Sequence, residues 1–201
     1  MKCSAAMTIF ILMWGARKLS AKLKPDPAET RVRVSLQLGN SRIPENVVLA
    51  AQAEATRLFE AEGIRLDWRA PRPAELQRGE RVIGIEFVPF APAAYDIGEK
   101  ENALAEARPY DPGPVNISVF SDRLSRFLLA FGATHGGKAL GHVLAHEITH
   151  VLEGVARHSE TGLMKARWNW RDYRVMTGMG LPFAEEDRAL LQLQLRPLMA
   201  R

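Results

Sequence analysis

Two periods of apolar spacing run through the chain, and the switches between them mark its elements. In RVRVSLQL, from Arg31, the apolar Val32, Val34, Leu36 and Leu38 alternate with polar partners. That period of two predicts a half-buried strand, and Gly39-Asn40 ends it. Pro44, suited to a first helical turn, opens ENVVLAAQAEATRLFEAEG, which predicts a long helix rich in Ala, Leu and Glu that stops at Gly63. IRLDWR is a second strand. A Pro/Gly-rich link leads to RVIGIEFVPF, a third strand with the little polar relief expected of a buried one. Strand, helix, strand implies a parallel, right-handed crossover with the helix on one sheet face.

Between Ala91 and Pro114 the chain is rich in Pro, Gly and charge, and only Ala103–Arg108 (ALAEAR) reads as a short strand. Small residues with flanking charges suit a sheet edge, and an irregular surface loop is the alternative. VNISVF, from Val115, is the next strand and runs into SDRLSRFLLAF. After a glycine-laced loop, Gly132–Gly137, the period changes to three and four. In KALGHVLAHEITHVLEG the residues Leu140, Val143, Leu144, Ile148, Val151 and Leu152 form one apolar stripe, and Gly154 offers the helix stop. PFAEEDRALLQLQL, Pro182 to Leu195, predicts a C-terminal helix with acids in its first turn. The elements predict an α/β (α+β) fold with a mixed, mostly parallel twisted sheet, two packed helices and a small C-terminal helical lobe.

The chemistry sits on the second helix. His146 and His150 are four residues apart, so they lie about 40° apart around the axis and one turn apart along it, and both imidazoles can face one ion. Glu147, offset by roughly 100°, stands beside them, where it can take a proton from a water on the metal. This HExxH spacing suits one catalytic zinc ion held by two neutral imidazoles and a later third ligand, with a position left for water. His158, four residues past Gly154, can return to the metal from a turned chain. Glu153, Glu160 and the helix-start pair Glu185 and Glu186 are the alternative third ligands. His142 shares the histidine stripe, but the span from His142 to His150 is roughly 12 Å, too long for one ion; it reads as cleft-lining, as supporting a ligand, or as plain surface. His135, among loop glycines, could touch substrate.

HEITHVLEGVARH followed by SETGLM resembles the metzincin clan of metallopeptidases, whose signature is HExxHxxGxxH followed by a methionine turn. The resemblance implies a zincin fold, His146, His150 and His158 as zinc ligands, Glu147 as general base and Met164 beneath the metal. Here the glycine comes four residues after the second histidine instead of three, and the third histidine eight after it instead of six. Ala166 stands where some members have a tyrosine, and Met176 and Met179 compete with Met164 for the supporting turn. The element order also matches that of metzincin catalytic domains. By the same resemblance the edge strand, with Ala103, Leu104 and Ala105, is where an extended peptide substrate would lie, a form of recognition open to any unpaired strand beside a metal site.

Composition narrows this reading. The chain has 201 residues, 47% of them hydrophobic, which suits one domain with a sizeable core. A formal charge of +4 comes from Arg and Lys scattered among acids, so nucleic-acid binding is not expected. The one cysteine, Cys3, excludes an intrachain disulfide and a CxxC metal site. SAAMTIFILMWGA, near the start, is too short for a membrane-spanning helix and reads as a secretory signal over residues 1–21, although Arg17-Lys18 makes the cleavage site poor. An uncleaved anchor or a buried first segment is the alternative. Residues 22–30 read as a linker and 31–201 as the peptidase domain, divided at Gly154 into a sheet-bearing lobe (31–154) and a C-terminal lobe (155–201). KARWNWRDY, after Met164, could wall a cleft or pack Trp168 and Trp170 on the core. The expectation is a secreted or periplasmic, monomeric, zinc-dependent endopeptidase acting on peptides or proteins. Membrane-anchored or cytoplasmic placement, a non-catalytic zinc protein binding a peptide or wall fragment, and a zinc hydrolase of non-peptide substrates are the alternatives.

Overall fold

The structure is a computed structural model, and it describes residues 30–39, 41–69, 82–96, 98, 101–111 and 116–199. The expected signal, all of the linker but Thr30, and the Pro/Gly-rich link over 70–81 lie outside them. The strands are β1 (Thr30–Gln37), β2 (Ile64–Trp68), β3 (Val82–Val88), β4 (Ala105–Ala107) and β5 (Ile117–Phe120). They form one sheet in the order β2-β1-β3-β5-β4. β1 pairs in parallel with both β2 and β3, β3 with β5 likewise, and only β4 runs antiparallel, at the edge beside β5. The strand–helix–strand pattern of β1, α1 (Glu45–Glu60) and β2 thus forms a parallel pair, as a crossover connection requires. Among the described residues no helix is long and apolar enough to cross a membrane.

Alternation along the strands sends Val32, Val34, Ile83, Ile85, Phe87, Ile117 and Val119 into one buried cluster with the apolar stripes of α1 and α2 (Ser121–Glu153). Removal of these side chains from water, at about 25 cal/mol per Å² of apolar surface, is what binds helices to sheet. α1 and α2 meet along a seam of unusually small residues. A Cβ on Gly137 would lie 2.5 Å from Ala50 Cβ, and one on Gly141 would lie 2.6 Å from Glu54 Cβ and 2.8 Å from the Ala51 carbonyl oxygen. Glycine is therefore required at both places for the helices to approach so closely.

That packing also corrects the expected loop. Of Gly132–Gly137, only Gly132 leaves helical geometry, at φ 68° and ψ 166°, and helix follows strand directly at Ser121. Gly136 and Gly137 are helical because their missing side chains make room for neighbours, which local sequence cannot distinguish from turn-forming use. Past the active segment, Gly154 adopts the left-handed conformation, φ 67°, and ends α2 as its position predicts. The C-terminal lobe carries α3 (Trp170–Thr177), opened by an Asn169–Asp172 capping box, and α4 (Glu185–Met199).

His142 is neither cleft-lining nor surface: it is fully buried on the seam. Its Nδ1–H donates to the Lys138 carbonyl at 2.8 Å, and its Nε2 accepts the Leu181 N–H at 2.9 Å, tying α2 to the C-terminal lobe. Across from it Glu54 accepts two hydrogen bonds from Arg57, and the Glu54 carboxylate lies 3.8 Å from the imidazole. Burial lowers the His142 pKa below its ordinary 6.5, outweighing the pull of Glu54. The unfolded chain therefore binds this proton more readily, so the stability His142 supports is complete above about pH 6.5 and is lost as pH falls through the folded-state value. Proton uptake at Nε2 would also break the Leu181 bond. Melting temperatures of wild type and His142→Gln, which keeps a neutral acceptor, should converge at low pH because only wild type loses this contribution. Parallel curves down to pH 4.5 would contradict the assignment.

Candidate metal centre

His146, Glu147 and His150 lie on the last two turns of α2, the most apolar and most buried stretch of the chain. Buried Leu144, Ile148, Val151 and Leu152 hold that stretch against sheet and α1, which fixes where the histidines point. His158 arrives from the chain beyond Gly154. The three histidines each bring one ring nitrogen into a group whose members lie within 4.8 Å of one another. His146 Nε2 and His150 Nε2 are 3.1 Å apart, close to the roughly 3.3 Å separating two nitrogens on a tetrahedral zinc at about 2.05 Å. The rings of His146 and His158 stack at 5.3 Å, and His150 meets His158 edge to face at 5.1 Å.

The backbone decides which nitrogens are free. His146 Nδ1–H donates to the Leu163 carbonyl at 2.9 Å, and His150 Nδ1–H to the Val155 carbonyl at 3.1 Å. A carbonyl only accepts, so each Nδ1 carries the proton and each Nε2 presents a lone pair. Two lone pairs facing each other at 3.1 Å repel unless a cation lies between them. Burial, aided by the neighbouring imidazoles, pushes His146 down to about 3 and His150 down to about 4, and burial lowers His158 as well. All three are neutral near pH 7, the state a metal ligand requires. The donor set fits zinc: borderline-soft nitrogens on three sides, two with orienting hydrogen bonds.

Glu147 reaches the sheet edge at β4. In the β4–β5 pair, Phe120 N–H donates to Leu104 and Arg108 N–H to Asn116, so the even-numbered residues face β5. Ala105 and Ala107 therefore turn their backbone groups to the open edge. The Ala107 N–H bonds the Glu147 carboxyl, which burial pushes up to about 8, helped by nearby Glu106 and opposed by that bond. The strand is shorter than the expected Ala103–Arg108. Ala103 and Leu104 precede it, with their carbonyls engaged by Arg123 and Phe120, so of the three expected edge residues only Ala105 lies in the strand with its backbone outward.

The alternative oxygen donors stand elsewhere. Glu160, Glu185 and Glu186 are exposed, and Glu153 is buried against Arg157 instead of the histidines. Met164 is fully buried in the turn whose Leu163 carbonyl holds His146, whereas Met179 is 86% exposed and cannot floor any site. Met176 is the buried residue of α3. His135 lines an open groove of about 380 Å³ with Phe131, Trp170 and Tyr173, away from the cluster.

Two contributors carried weaker sequence signals. Trp168 donates from Nε1 to the same Leu163 carbonyl and stands edge-on to His146 at 5.5 Å, so it orders the turn that orients this histidine. Asp187 is fully buried, and bonds to both chain neighbours of His158. Its signal was available: it falls on the buried Leu191, Leu195 stripe of α4, where an acid has no reason to be unless something pairs with it.

No family model and no curated protein sequence matches the chain. Among solved structures, its fold is similar to the crystal structure of archaemetzincin from Methanopyrus kandleri, with a TM-score of 0.49 and 18% identity over 85% of this chain and 98% of that one. At that identity and score, the chemistry rests on the residues themselves.

Proposed function

We propose that the chain is a zinc-dependent endopeptidase, with His146, His150 and His158 holding one zinc ion and Glu147 as its general base. The observation that carries this reading is the convergence of three neutral imidazoles, two with tautomers set by carbonyls, beside a buried carboxyl that reaches an open strand edge. Zinc, when bound, supplies the Lewis acidity that polarises a scissile carbonyl and makes water acidic enough to be used near neutral pH. Glu147 accepts the proton that water loses as its oxygen bonds to the carbonyl carbon. It then delivers that proton to the amide nitrogen as the C–N bond breaks, leaving a carboxylic acid and an amine and returning to its starting state. Burial raises this carboxyl above an ordinary glutamate, which makes its ionised form the stronger proton acceptor.

Peptides are favoured over other substrates by the edge. Ala105 turns both backbone groups outward and Ala107 its carbonyl, next to the Glu147 carboxyl that takes the Ala107 N–H, and an extended chain paired there would bring its carbonyls to the base. Met164, packed solid beneath the Leu163 turn, serves in this reading as the floor that keeps the turn in place.

The test is zinc-loaded protein incubated with a mixed peptide library and scored by mass spectrometry for new termini. Cleavage that a chelator stops and added zinc restores is the expected result. A protein with one zinc per chain that cleaves no peptide, or that hydrolyses only small esters, would overturn the peptidase reading.

A further inference from the structure

We propose that Asp187 is the positioning residue for His158: from the last helix, it pins both chain neighbours of the third histidine and so turns that imidazole toward the other two. The inference rests on the reading of the three histidines as zinc ligands. Asp187 Oδ1 accepts Arg157 Nη2 at 2.7 Å and the Ser159 hydroxyl at 2.5 Å, and its Oδ2 accepts the Ala184 N–H at 3.1 Å. Arg157 also donates from Nη1 to Ser159 Oγ at 3.0 Å and reaches Glu153 at the end of α2, at 3.4 Å. Ser159 is fastened on its backbone too, with its N–H donating to the Met164 carbonyl at 2.8 Å.

The geometry has a direct consequence. Arg157 and Ser159 turn one way, to Asp187, while His158 between them turns the other way, to His146 and His150. That is the alternation of successive side chains in an extended segment, so holding the odd-numbered pair on one side presents His158 on the other. His158 needs such help. Its two partners are oriented by carbonyls at Nδ1, but among the described residues the His158 ring makes ring contacts and no hydrogen bond. It is also exposed where they are buried. The residues beyond the shorter metzincin spacing are thus accommodated by a segment whose far end is anchored from α4. Two independent sets of contacts, the pinned flanks and the unbonded ring, point to the same residue.

The test measures zinc affinity by competition with a chelating dye, using full-length Asp187→Asn, Asp187→Ala and His158→Ala, and the double variant His158→Ala/Asp187→Asn. Removing an orienting partner costs roughly 10- to 100-fold in metal affinity, so Asp187→Asn should fall near the lower figure and Asp187→Ala nearer the upper. If Asp187 acts through His158, Asp187→Asn should have no further effect in the His158→Ala background. Should Asp187→Ala fail to fold, Asp187→Asn and Ser159→Ala carry the test, the latter with a smaller loss in the same direction. Unchanged affinity in folded Asp187→Asn and Ser159→Ala overturns the proposal. So does a loss that adds fully to that of His158→Ala, which would mark Asp187 as a general stabiliser. A wild type that binds no zinc would overturn the zinc reading itself, a separate failure.

Discussion

Glu147→Gln protein is expected to keep its full complement of zinc and to lose peptide hydrolysis by about 10²- to 10⁴-fold in kcat, the range general acid–base catalysis supplies. Gln is nearly isosteric with Glu and can still take the Ala107 N–H through its amide oxygen, so the end of α2 and the β4 edge should remain as they are. What it cannot do is hold a transferable proton at that position. The loss should therefore appear in kcat with little change in KM, because peptide pairing along Ala105 does not involve Glu147, and Gln keeps the Ala107 bond. The measurement is steady-state kinetics on a cleaved library peptide, paired with metal analysis of the same preparation. Hydrolysis at the wild-type rate would remove Glu147 from the chemistry altogether.

His150→Ala should have the largest effect on the metal. The substitution deletes one of the two nitrogens that face each other at 3.1 Å, together with the hydrogen bond to Val155 that anchors the turn after α2. Zinc content after dialysis is expected to fall below about a tenth of an equivalent, since two imidazoles alone make a weak site. Stability gives a second readout. A ligand at a thousand times its Kd stabilises the folded state by about 4.1 kcal/mol, which for a chain of this size is a rise of roughly 8–16 °C in Tm. Wild type should show a zinc-dependent rise on that scale and His150→Ala none; a variant that still melts higher with zinc would place the ion elsewhere.

The sequence made the active helix legible because its information is local. His146, Glu147 and His150 lie within five consecutive residues on a helix whose apolar stripe fixes their direction, and the strands announce themselves too, β1, β2 and β5 by alternation and β3 by its apolar run. The edge strand was legible as an element but not in its register: which of its residues face outward depends on the parity of pairing with β5, which involves residues ten or more positions away. Gly136 and Gly137 misled for a related reason. Glycine serves loops and close helix packing equally well, and only the presence of Ala50 and Val47 opposite Gly137 separates the two uses. His142 shares the spacing of the ligand histidines, yet its partners, Glu54 and Leu181, come from distant parts of the chain, and it is burial on the seam, against the pull of Glu54, that lowers its pKa.

The third histidine shows the same division. Its place past Gly154 was readable, whereas its orientation is set by Asp187, some thirty residues later. An acid inside an apolar stripe is the one local trace such a contact leaves.

The central claim is that three histidines hold the ion despite an interval of eight residues between the second and third. Zinc stoichiometry of purified wild type beside His158→Ala, before and after dialysis against a weak chelator, tests it most directly. One zinc per wild-type chain, retained through dialysis and lost from His158→Ala, is the predicted result. Zinc held equally well by His158→Ala would contradict the three-histidine centre and move the third ligand to another residue.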